Sequence, residues 1–143
     1  MKLARHVQLA ATHVADLAFA IGVVEGRSPI SVIAAAIYMV AIASGDRKTA
    51  KEVGDVCGVN DVTIRTSYRE MYPIRQYLFP PDFTTAQLER LPAWGDATSR
   101  VGMNGVEHAL AYFEREKKSV PVRAAGLPVA VGGGAAVNKT EVV

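Results

Sequence analysis

The residues whose types and spacing best indicate a chemistry lie in one short stretch, VNDVTIRTSYRE, from Val59 to Glu70. Helical spacing predicts that four side chains project from one side of this stretch: Val62, Arg65, Thr66 and Arg69. An arginine can donate two hydrogen bonds to a guanine edge, and valine and threonine methyl groups can contact a thymine methyl. The combination indicates a surface that reads base edges in the major groove of DNA.

Two helices joined by a tight turn must position that surface. The spacing Thr49-Ala-Lys-Glu52 is typical of a capping box at the start of the first helix, and Gly58 supplies a left-handed residue that ends it. Asn60 is placed to cap the second helix. These signals predict a helix-turn-helix unit over residues 49–72.

The interior positions of this unit have suitable residues, with one exception. Gly54 is small where the helices must cross, and Ile64 faces inward with Tyr68 and Met71 at helical spacing. Ser67 is the weak point, because an aliphatic residue is commoner at such a position. We also expect Pro73 to kink or end the second helix and to push the preceding residue, Tyr72, out of helical geometry.

Basic residues around the start of the first helix are candidate phosphate contacts: Arg47, Lys48 and Lys51. Bulk charge cannot supply the affinity, because the net charge is only +2. The pattern alone leaves two interpretations open. Either the outward side of the second helix binds DNA, or its arginines are solvated and Val62 is an isolated exposed valine, which is normal on protein surfaces.

Further helices surround this unit in the sequence. An apolar stripe predicts one over about Leu3 to Ile21, and Ser28 followed by Pro29 predicts the start of another that runs to about Ser44. A weaker helix is expected over residues 105–118, with Asn104 as its cap. No segment shows sustained period-two alternation, so we predict an all-α fold.

The composition of the chain changes after Phe83. We expect one helical domain over residues 1–83 and an extension over 84–123 that contains the weaker helix. The segment 124–143 has too little apolar bulk for a core, so we expect a disordered tail there.

Several function classes find no support in the composition. With a single cysteine, Cys57, the chain can form no internal disulfide or cysteine-based zinc site. No glycine-rich phosphate loop, nucleophile with a paired base, or cluster of metal ligands is recognisable, so we predict a non-enzyme without a cofactor. The longest apolar run, from Ile30 to Ala43, is too short to span a bilayer, and no secretory signal is apparent. We therefore expect an intracellular protein that does not enter a membrane.

The segment GRSPISVIAAAIYMVAIASGDRKTAKEVGDVCGVNDVTIRTSYREMYP, Gly26 to Pro73, resembles the second cyclin-like repeat of the eukaryotic general transcription factor IIB family. Residues 7–18 resemble an earlier helix of the same repeat. The resemblance implies a cyclin fold, with about four of its five helices in this chain. It also implies docking in the nucleus on the TATA-binding protein bound to double-stranded promoter DNA, upstream of the TATA box.

The resemblance assigns roles residue by residue. The valine and the arginine of DVTIR, here Val62 and Arg65, are implied to contact bases, with Thr66 and Arg69 as neighbours. Arg27 and Ser28, at the start of the helix that Pro29 begins, are weaker candidates for phosphate or partner contacts.

Two departures from the family pattern limit these expectations. The family carries a zinc ribbon that engages RNA polymerase II, and one cysteine cannot form it, so we expect only indirect contact with the polymerase. The match also covers a single repeat, whereas proteins of the family bind their partner with two repeats. The alternative is a cyclin-like protein-interaction adaptor that does not bind DNA.

Overall fold

In the computed structural model, residues 3–24, 26–92 and 100–121 are described, and within these ranges the chain is helical and contains no strand. The elements follow one another as α1 (Arg5–Ile21), α2 (Pro29–Ala43), α3 (Ala50–Cys57), α4 (Asp61–Met71), a 3-10 turn (Tyr72–Ile74), α5 (Arg75–Leu78), α6 (Thr85–Leu88) and α7 (Arg100–Arg115). The predicted all-α class is confirmed.

Helix α2 lies at the centre of the molecule. Its predicted N-cap is present: the Ser28 hydroxyl accepts a hydrogen bond from the Ser31 backbone N–H at 3.3 Å, with Pro29 at the first position. The helix is apolar nearly all round, and it packs against α1, α3 and α4. The stripe of α1 also faces the core, where Val7, Ala10 and Val14 are buried. Short side chains such as alanine let these helices approach closely.

The end of α4 differs from the prediction at one residue. Helix α4 ends at Met71, close to Pro73 as expected, but Tyr72 has right-handed helical angles, φ −56° and ψ −45°, so the prediction for Tyr72 was wrong. Pro73 falls in the first turn of the following 3-10 segment, where its missing N–H leaves no bond unmade. Arg75 supports this path, because its guanidinium lies 4.1 Å above the Tyr72 ring and donates to the Tyr72 carbonyl at 3.0 Å.

Helix α7 begins earlier and ends earlier than predicted. It spans Arg100–Arg115 instead of residues 105–118, so Asn104 lies inside the helix and its predicted role as N-cap was wrong. The glycine that weakens this helical pattern, Gly105, packs closely on the core: a Cβ added there would lie 3.1 Å from Ile74 Cγ2. Tertiary packing thus outweighs the low local propensity. Val106 and Phe113 on this helix are buried.

The segment after Phe83 contributes to the same hydrophobic core as the helices before it. Leu88 and Leu91 are buried, and the rings of Tyr77 and Phe113 lie 6.2 Å apart between centroids. Arg90 donates to the carbonyl of Ala43 at the end of α2, at 3.0 Å. The division of the chain at Phe83 stays a prediction, and the predicted tail, 124–143, lies outside the described residues.

Within the described ranges, none of the helices is both long and apolar enough to cross a membrane. No grouping of three or more His, Cys, Asp or Glu side chains that could hold a metal ion occurs in the same part of the chain.

Candidate nucleic-acid interface

The turn between α3 and α4 sets the crossing of the two helices. The capping box of α3 is present: the Thr49 backbone N–H donates to the Glu52 carboxylate at 2.9 Å, which lowers the pKa of that carboxyl, and the Thr49 hydroxyl accepts from the Glu52 N–H at 3.0 Å. Gly58 ends the helix with φ +73°. The predicted helix start and stop are both confirmed.

Gly54 is the contact point of the two helices. Its carbonyl accepts from the backbone N–H groups of Gly58 at 2.8 Å and Val59 at 3.0 Å. A Cβ added at Gly54 would collide with the Val59 carbonyl oxygen, so no larger residue fits without moving the backbone. The structure therefore explains why position 54 holds a glycine, in agreement with the small residue predicted where the helices cross.

Helix α4 buries one side completely. Ile64, Tyr68 and Met71 are buried as predicted, and Ser67 is buried beside them. The Tyr68 hydroxyl donates to the Pro92 carbonyl, and burial raises the pKa of that hydroxyl well above its usual range. The Tyr68 ring also meets the Tyr38 ring of α2 edge to face, at 5.4 Å between centroids. These contacts fix the rotation of α4 about its axis.

The opposite side of α4 faces outward. Val62 is 62% exposed, Arg65 and Arg69 are exposed, and Thr66 is half-buried. The Thr66 hydroxyl donates to the Val62 carbonyl at 2.9 Å, so this hydroxyl is engaged within the helix. The prediction that these side chains share the outward side is consistent with this exposure, while their contact with bases stays a prediction.

Arg65 has an acidic neighbour on the same helix. Its Nη1 lies 3.0 Å from Oδ2 of Asp61, one helical turn earlier, and both side chains remain partly exposed. Asn60 caps the helix just before, accepting from the Val62 N–H at 2.7 Å. Asp61 was not predicted as a partner of Arg65, although the four-residue spacing of opposite charges indicates such a pair.

A concave, basic surface lies beside Arg65. Arg65, Arg47 and Lys48 line a cavity of about 280 Å³, together with Tyr38, Ile42, Thr49, Ala50 and Pro92. Lys48 also pairs with Asp46 at 3.3 Å. Two of the predicted phosphate contacts thus lie next to the predicted base contact. Lys51 does not line the cavity; it is exposed and lies 3.5 Å from Asp55.

Arg27 lies at the other end of α4. Its Nε and Nη2 donate to the two carboxylate oxygens of Glu70 at 2.8 and 3.3 Å, and this hydrogen bonding raises the pKa of Arg27. Ser28 caps α2 and shares a 2.6 Å hydrogen bond with the Ser31 hydroxyl. Glu70 was not predicted as a partner of Arg27, because the two residues are 43 positions apart and no local pattern links them.

Comparison with known proteins identifies relatives of this architecture. The family model described as "Transcription factor TFIIB repeat" matches residues 1–74. Transcription initiation factor IIB of Xenopus laevis and that of Homo sapiens are each 54% identical to the chain over 91 residues, which is 63% of this chain and 29% of theirs. The Drosophila melanogaster protein of the same name is 53% identical over 93 residues, 64% of this chain and 30% of its own. The chain spans about three tenths of the length of these relatives.

Proposed function

Because this chain belongs to the transcription factor TFIIB repeat family, we propose that it is a general transcription initiation factor module that binds promoter DNA. The family is one of transcription factors, which is not an enzyme class. The observation that carries the proposal is the outward side of α4, where Val62 and Arg65 are exposed on a capped helix of a helix-turn-helix unit. This is the helix that enters the major groove in DNA-binding units of this kind.

We propose a role for each candidate residue from its position on the structure. Arg65 donates to a guanine edge and Val62 contacts a thymine methyl. Thr66 and Arg69 lie beside them at the DNA surface. Arg47 and Lys48, which line the same cavity as Arg65, hold backbone phosphates, and the exposed Lys51 on α3 adds a weaker phosphate contact.

The DNA is proposed to be presented by a partner. A net charge of +2 gives weak binding to naked DNA, whereas simultaneous contact with the TATA-binding protein and the promoter raises the effective affinity. In this proposal the chain acts in the nucleus, and it supports assembly of the RNA polymerase II preinitiation complex only indirectly, through the promoter complex.

A gel-shift experiment tests the proposal. The TATA-binding protein is bound to a TATA promoter, and the chain is added. We expect a slower band with the wild type and its loss with Arg65→Glu. Arg115→Glu makes the same charge change on the exposed end of α7, and should keep the band. Absence of a slower band with the wild-type chain contradicts the proposal.

One observation favours the adaptor alternative. Apolar side chains of α1 and α2 are exposed, among them Phe19, Ile30 and Ile33. Ile33 also lines an apolar cavity of about 240 Å³ between these helices, with Ala11, Ala15 and Ile37. An adaptor that uses this cavity would bind the TATA-binding protein in the absence of DNA. Its binding should persist with Arg65→Glu and be lost with Ile33→Asp.

A further inference from the structure

We propose that Asp61 is a specificity-determining residue: by pairing with Arg65 it weakens binding of that arginine to phosphates more than its binding to a guanine edge. The inference rests on the proposed function, because it concerns how the same outward side of α4 selects DNA.

The geometry of the pair is the first argument. Arg65 Nη1 and Asp61 Oδ2 are 3.0 Å apart, with side chains 47% and 37% exposed. Asp61 is the first residue of α4, where the positive end of the helix dipole favours a carboxylate. The carboxylate is thus held on the helix, at the end that enters the groove in units of this kind.

The acceptors that DNA offers to Arg65 differ in how they compete with Asp61. To contact DNA, the Arg65 guanidinium must direct some of its five N–H donors to an acceptor on the DNA, in competition with the Asp61 carboxylate. A guanine edge offers two acceptors that match the guanidinium, O6 and N7. Phosphate oxygens bind any cation without regard to sequence. They are also repelled by the charge of Asp61, which stays one helical turn away.

The two effects act unequally on the two kinds of DNA. A promoter with the matching guanine recovers two aimed hydrogen bonds, so it tolerates the carboxylate. A promoter without the guanine offers Arg65 only phosphates, and the carboxylate opposes that contact. Asp61 therefore lowers nonspecific binding and leaves specific binding nearly unchanged.

The chain supplies a matched control. Lys51 and Asp55 form an equivalent pair on α3, four residues apart, with Nζ 3.5 Å from Oδ2 and both side chains well exposed. Asp55→Asn changes the net charge by the same amount as Asp61→Asn. It leaves Arg65 and Asp61 untouched.

The experiment measures the affinity of the full chain for two complexes of the TATA-binding protein with promoter DNA. One promoter has the preferred upstream sequence, and in the other that sequence is scrambled. Each affinity is measured at several salt concentrations. With Asp61→Asn we expect affinity for the scrambled promoter to rise about threefold, while affinity for the preferred promoter changes less than about twofold. The salt slope on the scrambled promoter should steepen by about 0.9, the value for one added phosphate contact.

Asp55→Asn should leave the ratio of the two affinities at the wild-type value. Asp61→Glu, which keeps the carboxylate, should retain most of the discrimination. Thermal melting of each variant separates a change in binding from a change in folding.

The outcomes separate the two proposals. If the wild type does not distinguish the two promoters, the proposed function fails in its DNA-reading part and the inference about Asp61 fails with it. If the wild type discriminates and Asp61→Asn keeps the ratio seen with Asp55→Asn, only the inference about Asp61 is overturned.

Discussion

At the scale of single residues, Ser67 places a hydroxyl group in the apolar interface between α4 and the rest of the core. It is fully buried, and its Oγ has no hydrogen-bond partner in the part of the chain that the structure describes. Removing an unsatisfied buried hydroxyl relieves a desolvation penalty. We expect Ser67→Ala to raise the free energy of unfolding by about 1 kcal/mol, measured by urea denaturation.

Ser28→Ala is the matched control for that measurement. Its hydroxyl caps α2, so the same substitution there should lower the free energy of unfolding by about 1 kcal/mol. A loss of stability with Ser67→Ala as large as that with Ser28→Ala would contradict our account of the α4 interface.

Residue roles that depend on near neighbours could be predicted from the sequence. The capping box of Thr49 and Glu52 and the cap at Asn60 link residues two or three positions apart, so local chemistry determines them. The pair of Arg27 and Glu70 could not be predicted, because it depends on how α2 and α4 pack. The contacts that the outward side of α4 makes with DNA remain a prediction from sequence and family.

At the scale of elements, the crossing of α3 and α4 depends on Gly54. Because an added Cβ would collide with the backbone carbonyl of Val59, relief requires a shift of the turn. We expect Gly54→Ala to lower the free energy of unfolding by about 1–3 kcal/mol and to weaken promoter binding through misplacement of α4. Urea denaturation and the gel shift measure the two effects.

Val56→Ala is the control on the same helix. Val56 is exposed, so its truncation should change the free energy of unfolding by less than about 0.5 kcal/mol. Equal stability of Gly54→Ala and the wild type would show that the turn does not need a glycine at the crossing.

The far end of α4 is tied to the start of α2 by Arg27 and Glu70. A bidentate pair with side chains only 35% and 27% exposed is better placed than most surface pairs. We expect a double-mutant cycle of Arg27→Ala and Glu70→Ala to give a coupling energy of about 0.5–1 kcal/mol in urea denaturation. A coupling energy no larger than that of Lys51 and Asp55, the exposed pair on α3, would contradict this role.

Helix boundaries were predicted best where caps mark them. The starts of α2, α3 and α4 match their sequence signals. The beginning of α7 was misplaced because Gly105, which weakens a helical pattern, is accommodated by packing against Ile74. Tyr72 was mispredicted because the preference of a residue before proline is weaker than the contacts that Arg75 makes with it.

At the scale of the whole molecule, the helices before and after Phe83 share one hydrophobic core. Helix α7 packs on α1, α4 and the 3-10 turn, and Phe113 on α7 is buried near Tyr77. We expect Phe113→Ala to lower the free energy of unfolding by about 3 kcal/mol in one cooperative transition. Glu114→Ala, at an exposed neighbour, should leave the free energy of unfolding nearly unchanged. If Phe113→Ala also left it unchanged, α7 would not contribute to the core.

The packing of α7 could not be predicted from the sequence, because its apolar residues indicate a buried side but not the helices against which that side packs. The all-α class and the family could be, because helical periodicity and the segment from Gly26 to Pro73 both persist over long stretches. The family model matches residues 1–74, so α7 lies outside that match.

The most direct test of the central claim is the base preference of Arg65. The affinity of the wild-type chain and of Arg65→Ala is measured for TATA-binding protein–promoter complexes that carry each of the four base pairs at every upstream position. We predict that Arg65→Ala loses about 1–3 kcal/mol of discrimination at one base pair and keeps the wild-type melting temperature. If Arg65→Ala ranks the upstream sequences as the wild type does, α4 does not read DNA through Arg65.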